Sequence, residues 1–336
     1  MTSFSTERVA GNCGATATEP RVTIMIPTFN QSQFLYQAVK SALAQDYQNL
    51  EIVICDDAST DDTREVVTGL LSDDRVRYFR NANNLGRVGN YRHILYDLAT
   101  GDWVINLDGD DCFISRSYIS SAVRLALSHP DITLVFGKAE MGPSTDGATV
   151  CLNERSLMSG VMDGTQFFLE YPPFETMAPL HATCLYHRAS AMKIGFYKQD
   201  ILSSDFESLY RLMLDRKIGF VDEVAALWRQ HGENATRSPT IDGVVKNIAV
   251  FEGPYQRAKE LGCLSVVKLR QWRRQRFARY FLSSLMQTMH GRLPFFASLC
   301  LAGHLFKRDP LTILALPTIA VRAFGDLRRR DKNYRD

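Results

Sequence analysis

This chain predicts an α/β fold, a mainly parallel sheet flanked by helices, with a C-terminal helical region, and three observations carry that reading. Short apolar strands alternate with amphipathic helices from Arg21 to Leu107, the pattern of a sheet covered on both faces. Polar and acidic clusters around Asn30, Asp57 and Asp108 follow three of those strands, on the rim where open α/β sheets bind ligands. From about Ile241 the periodicity turns helical, and the last part of it is basic and aromatic.

In chain order, Val22–Pro27 is a β-branched run closed by the turn Thr28-Phe29-Asn30-Gln31. Gln33 to Gln45 then repeats Phe34, Ala38, Val39, Ala42 and Leu43 on one helical face. Leu50–Cys55 is the second strand and ends in Asp56-Asp57. Asp62 and Glu65 have capping-box spacing ahead of a helix to about Leu71. Arg75–Arg80 is the third strand, Asn81–Gly89 a loop, and Tyr91–Ala99 a helix stopped at Gly101. Trp103–Leu107 is the fourth strand and runs into Asp108-Gly109-Asp110-Asp111. A helix near Tyr118–Ser128, a strand at Ile132–Lys138, a loop at Gly142–Gly147 and helical spacing over Asp205–Leu214 follow, before helices at Val244–Leu261 and Val266–Met289. The expected organisation is a disordered leader over 1–20, a domain over 21–240 with halves 21–125 and 126–240, and a basic helical region over 241–336.

Composition narrows the function. With 45% hydrophobic and 23% charged residues, the chain is an ordinary globular protein, not a collagen-like, disulfide-scaffold or wholly disordered one. A formal charge of +2 gives no argument for nucleic acid, and no nucleic-acid partner is expected. The charge is uneven, since residues 264–336 hold 15 Lys/Arg against 4 Asp/Glu. Seven cysteines without a C-x-x-C pair point to a reducing, cytoplasmic compartment. The first 20 residues hold no apolar signal core. Leu293–Phe306 and Leu311–Val321 are each shorter than the roughly 20 residues a spanning helix needs, so no membrane crossing is expected.

Asp108 and Asp110 stand two apart, so a strand continuing through them would point both carboxylates to one side. Hard oxygen ligands of this kind suit Mn²⁺ or Mg²⁺ shared with a substrate's phosphates, and a plain polar turn uses the same residues. Asp56 and Asp57 suit a nucleotide base or ribose, or the cap of the following helix. Arg87, between Gly86 and Gly89, suits a phosphate or solvent. The dinucleotide and P-loop glycine signatures are absent.

Taken together, Pro27-Thr28-Phe29-Asn30, Cys55-Asp56-Asp57-Ala58-Ser59-Thr60-Asp61, Asn84-Leu85-Gly86 and the stretch from Gly101 to Asp111 resemble the successive signatures of family 2 glycosyltransferases with the GT-A fold, over about residues 20–125. The resemblance implies a nucleoside-diphosphate-sugar site in the 21–125 donor half and an acceptor half over 126–240. Thr28 and Asn30 would stand near the nucleotide and Asp57 on its base, with Asp56 and Arg87 as further donor-side candidates. Asp108 and Asp110 would be the D-x-D pair, Asp108 toward ribose and Asp110 on Mn²⁺ or Mg²⁺. Ser204-Asp205-Phe206-Glu207 resembles the family's acidic motif, whose aspartate is the general base. Ser204 replaces the family's glutamate, and Glu207 is a second candidate for the base. Leu227-Trp228-Arg229-Gln230-His231-Gly232-Glu233-Asn234 resembles the late Tyr-Arg-x-His-x-x-Asn segment, which makes His231 a candidate metal ligand as well as an ordinary solvated histidine. His181 and His187, in the acceptor half, have no zinc-like spacing and read as polar or core positions.

The reaction so implied is inverting transfer of a sugar to a glycan or lipid-linked acceptor in bacterial surface-polysaccharide assembly. With no credible covalent nucleophile, a single displacement fits. A nucleotidyltransferase is one alternative, and it would want a Gly/Lys/Arg-rich loop where Pro27-Thr28-Phe29-Asn30 stands. A catalytically inactive nucleotide-sugar-binding or membrane-associated protein is the other. In the tail, Lys268, Arg270, Arg273, Arg274, Arg276 and Arg279 interleave with Leu269, Trp272 and Phe277. That pattern suits peripheral contact with an anionic membrane surface at its inner face, or a helical subdomain packed on the catalytic core.

Overall fold

Val22–Thr28 (β1) and Leu50–Asp56 (β2) are buried at every position, as near-continuous apolar strands are when helices cover both faces of a sheet. A computed structural model of the chain describes residues 19–143, 149–152, 160–170, 179–232, 240–291 and 293–317. The expected leader up to residue 18, most of the 142–147 loop, Glu233, Asn234, Arg292 and the chain from residue 318 onward lie outside the described residues.

After β1 comes α1 (Ser32–Leu43), and after β2 come α2 (Thr63–Thr68), β3 (Val76–Arg80) and α3 (Arg87–His93). The expected helix at Tyr91–Ala99 therefore begins earlier, at Arg87, and finishes as a π-helical turn over Ile94–Leu98. Next follow β4 (Trp103–Asn106), β5 (Cys112–Phe113), α4 (Tyr118–Leu127), β6 (Ile132–Pro143), β7 (Val150–Leu152), β8 (Gly160–Asp163) and α5 (Gly164–Glu170). A 3-10 turn at His181–Thr183 leads to β9 (Leu185–His187), α6 (Arg188–Lys193), α7 (Ser204–Met213) and the long β10 (Lys217–Gln230).

Spatially the strands run β3-β2-β1-β4-β9-β6-β10-β5, with β7 on β6 and β8 on β10. The first four are mutually parallel. β9 lies antiparallel to both β4 and β6, while β10 is parallel to β6. The sheet is thus parallel through β1 to β4 and mixed beyond them. Alternation along β1 sorts its side chains between two cores. Ile24 and Ile26 join Leu35, Ala38 and Val39 of α1 and Ile119 and Val123 of α4. Met25 faces Tyr91, Ile94 and Leu95 on the other side.

The helical region comprises α8 (Ile241–Lys246), α9 (Ala249–Leu261), α10 (Val266–Met289), α11 (Phe295–Arg308) and a 3-10 turn at Pro310–Ala315. It packs on the second core. The Trp272 indole stacks on Phe168 at 4.2 Å and donates to its carbonyl oxygen at 2.9 Å. Leu269 and Phe277 are buried beside them. The basic residues of α10 do not form one solvent face. Arg276 is buried and donates to the Leu169 carbonyl, Arg274 pairs with Asp309 at 3.0 Å, and Arg273 lies 4.2 Å from the Tyr255 ring centre. At 3.6 residues per turn, six closely spaced cations must go round the helix, and some of them turn inward. Lys268 and Arg270 remain exposed.

Candidate active site

β4 ends at Asn106, and the chain then turns instead of continuing as a strand through Asp108 and Asp110. Leu107 N–H donates to the Met25 carbonyl at 2.9 Å and Gly109 N–H to Pro27 at 3.1 Å, so the turn lies along the carboxyl end of β1. It closes with Asp111 N–H on the Asp108 carbonyl at 2.9 Å. Gly109 is required by close approach: a Cβ there would stand 2.6 Å from Gln31 Oε1 and 2.9 Å from Thr28 Oγ1. This turn, not strand alternation, brings together the carboxylates of Asp108, Asp110 and Asp111, with one oxygen of each within 4.8 Å of the others.

Each carboxylate has its own partner. Asp108 Oδ1 accepts from the Tyr91 hydroxyl at 2.8 Å and from Asn106 Nδ2 at 2.9 Å. Asp110 Oδ2 meets His231 Nε2 at 2.8 Å, and Asp111 Oδ1 accepts from Arg229 N–H at 3.0 Å. The His231 ring packs on Phe34, with centroids 4.9 Å apart. Burial, followed by the charge of Asp108, pushes the Asp110 carboxyl above the usual carboxylate range. Burial and the charges of Asp110 and Asp108 push Asp111 well above it. A divalent cation fits here. The donors are hard oxygens plus an imidazole, the carboxylates repel one another when ionised, and the neighbouring Thr28 hydroxyl is buried without a protein partner.

The other donor-side candidates divide by where their hydrogen bonds go. Asp56 is turned inward, accepting from Ser59 N–H at 2.8 Å, the Tyr78 hydroxyl at 2.8 Å and Arg80 Nε at 3.2 Å. Asn30, at φ 53°, stitches two loops: its Oδ1 accepts from Thr60 N–H at 2.8 Å and its own N–H donates to Ser59 Oγ at 2.9 Å. Asp57 sits where the loops after β1, β2 and β3 meet. Its N–H donates to the Thr28 carbonyl, and its Oδ1 accepts from Asn81 Nδ2 and Leu85 N–H at 2.8 Å each. Arg87 points elsewhere, its Nη2 donating to the carbonyls of Leu202 at 2.6 Å and Ile201 at 3.2 Å.

Asp205 stands half-buried in the first turn of α7. Glu207 is fully enclosed. Arg211 grips its carboxylate through Nε at 2.7 Å and Nη2 at 2.8 Å, and a Cβ on Gly253 of α9 would stand 2.0 Å from Glu207 Oε1. Of the two carboxylates in this motif, only Asp205 is partly accessible.

Sequence reasoning passed over Tyr91 and Tyr197 and read His181 only as a polar or core position. The buried His181 bonds the Tyr197 hydroxyl through Nε2 at 2.6 Å and meets the Tyr91 ring edge-on at 5.4 Å. Burial pushes its pKa down, against the opposing pull of the Asp205 and Asp108 charges. Tyr197 adopts φ 57°, a strained left-handed conformation for an aromatic residue. Because α3 begins at Arg87, Arg87 and Tyr91 stand one helical turn apart, a spacing hidden while Arg87 is read as part of a loop.

The comparisons with known proteins agree with this geometry. Residues 23–155 match the model described as glycosyl transferase family 2. This region is a family 2 glycosyltransferase domain. Over 98 residues the chain is 44% identical to GalNAc(5)-diNAcBac-PP-undecaprenol beta-1,3-glucosyltransferase of Campylobacter jejuni, covering 29% of this chain and 31% of that protein. The matched stretch spans less than half the length of the curated relatives it matches. Among solved structures, S. aureus TarS 1-349 in complex with UDP superposes with a TM-score of 0.67 at 16% identity, covering 88% of this chain and 83% of that one. Mannosyltransferase PcManGT from Pyrobaculum calidifontis in complex with GDP-Man and Mn²⁺ gives 0.55 at 19%, covering 92% and 88%. The family 2 domain therefore sits in a GT-A fold.

Proposed function

We propose that this protein is a metal-dependent inverting glycosyltransferase that moves a sugar from a nucleoside-diphosphate sugar to a hydroxyl of a glycan carried on a lipid. The observation that carries the reading is the convergence of Asp108, Asp110 and Asp111 on the rim of the family 2 domain, beside the unpartnered Thr28 hydroxyl. Asp108 and Asp110, with His231, would hold Mn²⁺ or Mg²⁺. A divalent cation so held supplies charge neutralisation for the departing diphosphate. Tyr91 and Asn106 keep Asp108 in place, and Asp57 holds together the loops on which the nucleotide would rest. Asp205 would accept the proton of the attacking hydroxyl, as a carboxylate within hydrogen-bond reach can.

The lipid-linked acceptor rests on the undecaprenol glucosyltransferase relative. Membrane contact gains support from exposed Phe295, Phe296 and Leu299 on α11 and from exposed Leu311, Ile313 and Leu314, near the exposed Lys307 and Arg308. Among the described residues no helix is long and apolar enough to cross a membrane.

Calorimetric titration of UDP, dTDP and GDP, each with Mn²⁺ and with chelator, tests the reading. One nucleotide is expected to bind at least about tenfold more tightly with the metal, stabilising the protein in proportion to its binding. Equal binding under both conditions would overturn the metal-dependent mechanism. Metal-dependent binding without any release of nucleoside diphosphate from the matching sugar donor would favour an inactive binding protein. Flotation with anionic vesicles at low and high salt tests the membrane contact, and failure to float at low salt removes it.

A further inference from the structure

Three consecutive residues ahead of the base-bearing helix are held by side chains from distant parts of the chain. Arg87, the first residue of α3, donates from Nη2 to the carbonyls of Ile201 and Leu202 at 3.2 and 2.6 Å. One residue on, the buried Asn247, at the junction of α8 and α9, accepts from Ser203 N–H at 2.8 Å and donates to Ser203 Oγ at 3.2 Å. Ser203 is the N-cap residue of α7, yet its side chain does not cap the helix. Hydroxyl caps ordinarily bond amides of the first turn, and here that hydroxyl is engaged by Asn247.

The clamp reaches both neighbouring regions. The Arg87 guanidinium lies 5.4 Å from the Tyr91 ring centre, and the Tyr91 hydroxyl holds Asp108. Asn247 follows α8, which is tied to α10 by the Tyr280 hydroxyl on the Val244 carbonyl at 2.8 Å. A continuous set of contacts therefore runs from Asp108 through Tyr91 and Arg87 to the segment before Asp205, and from there into the C-terminal helices.

We infer that Arg87 and Asn247 are positioning residues, together gripping Ile201–Ser203 so that Asp205 stands at a set place relative to the donor cluster. The inference rests on the reading of Asp205 as the base. It gives the helical region a share in catalysis, and it moves Arg87 from a phosphate ligand to a strut whose Nη2 is already engaged by two carbonyls. Misplacing a reacting group by 1 Å costs on the order of 100-fold in rate, so the loss of either grip should be visible in turnover.

The test uses the full chain and whichever of UDP-glucose, UDP-GlcNAc, UDP-galactose and GDP-mannose the unaltered protein hydrolyses fastest with Mn²⁺. Arg87→Lys, Arg87→Met, Asn247→Ala and Asn247→Asp are compared for kcat, for donor KM and for affinity toward the matching nucleoside diphosphate. For Arg87→Met and Asn247→Ala, kcat is expected to fall by about 10- to 100-fold, with KM and nucleotide affinity within about twofold of the parent. Asn247→Asp keeps an acceptor for Ser203 N–H and should lose less kcat than Asn247→Ala. Combining Arg87→Met with Asn247→Ala should cost less than the product of the two separate effects, because both act on one segment.

Weakened nucleotide binding in Arg87→Met, with Asn247→Ala unaffected, would overturn the clamp and make Arg87 a donor ligand. A lowered Tm with unchanged kcat in both would reduce the contacts to packing and overturn it too. Should Arg87→Met not fold, Arg87→Lys, which keeps the charge but not the fork, decides by the same split between kcat and KM. An Asp205→Asn protein that still turns over donor would instead overturn the assignment of the base, whatever the clamp variants do.

Discussion

The proposed donor rim and the helix of the proposed base are braced by largely different means. On the rim, loops after neighbouring strands are tied by short polar side chains just beyond the strand ends, Asn30 to Thr60 and Asp57 to Asn81, and Asn106 at the end of β4 holds Asp108 within its own turn. Only its metal-side carboxylates reach far along the chain, Asp110 to His231 and Asp111 to the Arg229 N–H. On the base side, the segment before Asp205 is held by Arg87, 114 and 115 residues upstream, and by Asn247, 44 residues downstream. A site built from adjacent loops travels with the sheet that bears them. A base held by remote segments depends on how the whole chain packs. Damage to the donor rim should therefore show in nucleotide and metal binding, whereas damage on the base side should show in turnover alone.

The largest effect that sharpens this contrast is expected from Asp110→Asn. Turnover should fall by about 1000-fold, the upper end for losing one preorganised electrostatic group, and Mn²⁺ should cease to tighten nucleotide binding in calorimetry. Retained metal dependence would leave the donor rim without its assigned role. Asp205→Asn should lower kcat by about 100- to 10,000-fold, as for loss of a general base, with nucleotide affinity unchanged. Its neighbour in the motif should behave differently. Glu207→Gln leaves Arg211 facing a neutral partner in a buried site, costing about 3 kcal/mol of stability, measurable as a lower urea midpoint.

A smaller effect tests the sheet beneath the rim. Burial pushes the Glu51 carboxyl up, but hydrogen bonds from Thr23 and Thr100 and the charge of Arg21 outweigh it, so the group sits below its ordinary value. A depressed folded-state pKa contributes stability above the unfolded value, about 4.3 for Glu, and loses it as pH falls toward the folded one. The urea midpoint should therefore drop as the pH falls below the unfolded value, and Glu51→Gln, less stable by about 2 kcal/mol at neutral pH, should show a flatter profile. The smallest effect is a gain. Ala58 adopts φ 64°, a left-handed conformation costing a residue with a Cβ roughly 1–2 kcal/mol. Ala58→Gly should raise stability by up to about 1 kcal/mol, reduced by the extra unfolded-state freedom of glycine, without altering nucleotide binding.

Much of the donor rim was legible because its determinants are local. β-branched runs marked the strands, and the polar residues after them had to lie at one edge once the sheet was parallel. Detail was lost where local geometry was ambiguous. A continuing strand and a polar turn were both open for Asp108 and Asp110, and the chain turns after Asn106 because Gly109 can press against Thr28 and Gln31. By residue type alone Asp56 and Asp57 were equivalent, and the inward bonds from Tyr78 and Arg80 set Asp56 apart. Likewise, spacing could not choose between Asp205 and Glu207. The choice follows from Arg211 one turn on, and from Gly253 pressing on the enclosed carboxylate.

Residue order and periodicity were enough to specify the alternating architecture, the acidic rim and the helical character of the C-terminal region, since strand and helix patterns and turn chemistry act over a few neighbouring positions. Where Arg87 points, which carboxylate stays accessible, and how many of the α10 cations turn inward had to await the packed chain. Each of these depends on which groups of opposite character arrive from far along the sequence, and a buried hydrogen bond or ion pair is favourable only when both partners are delivered to the same place.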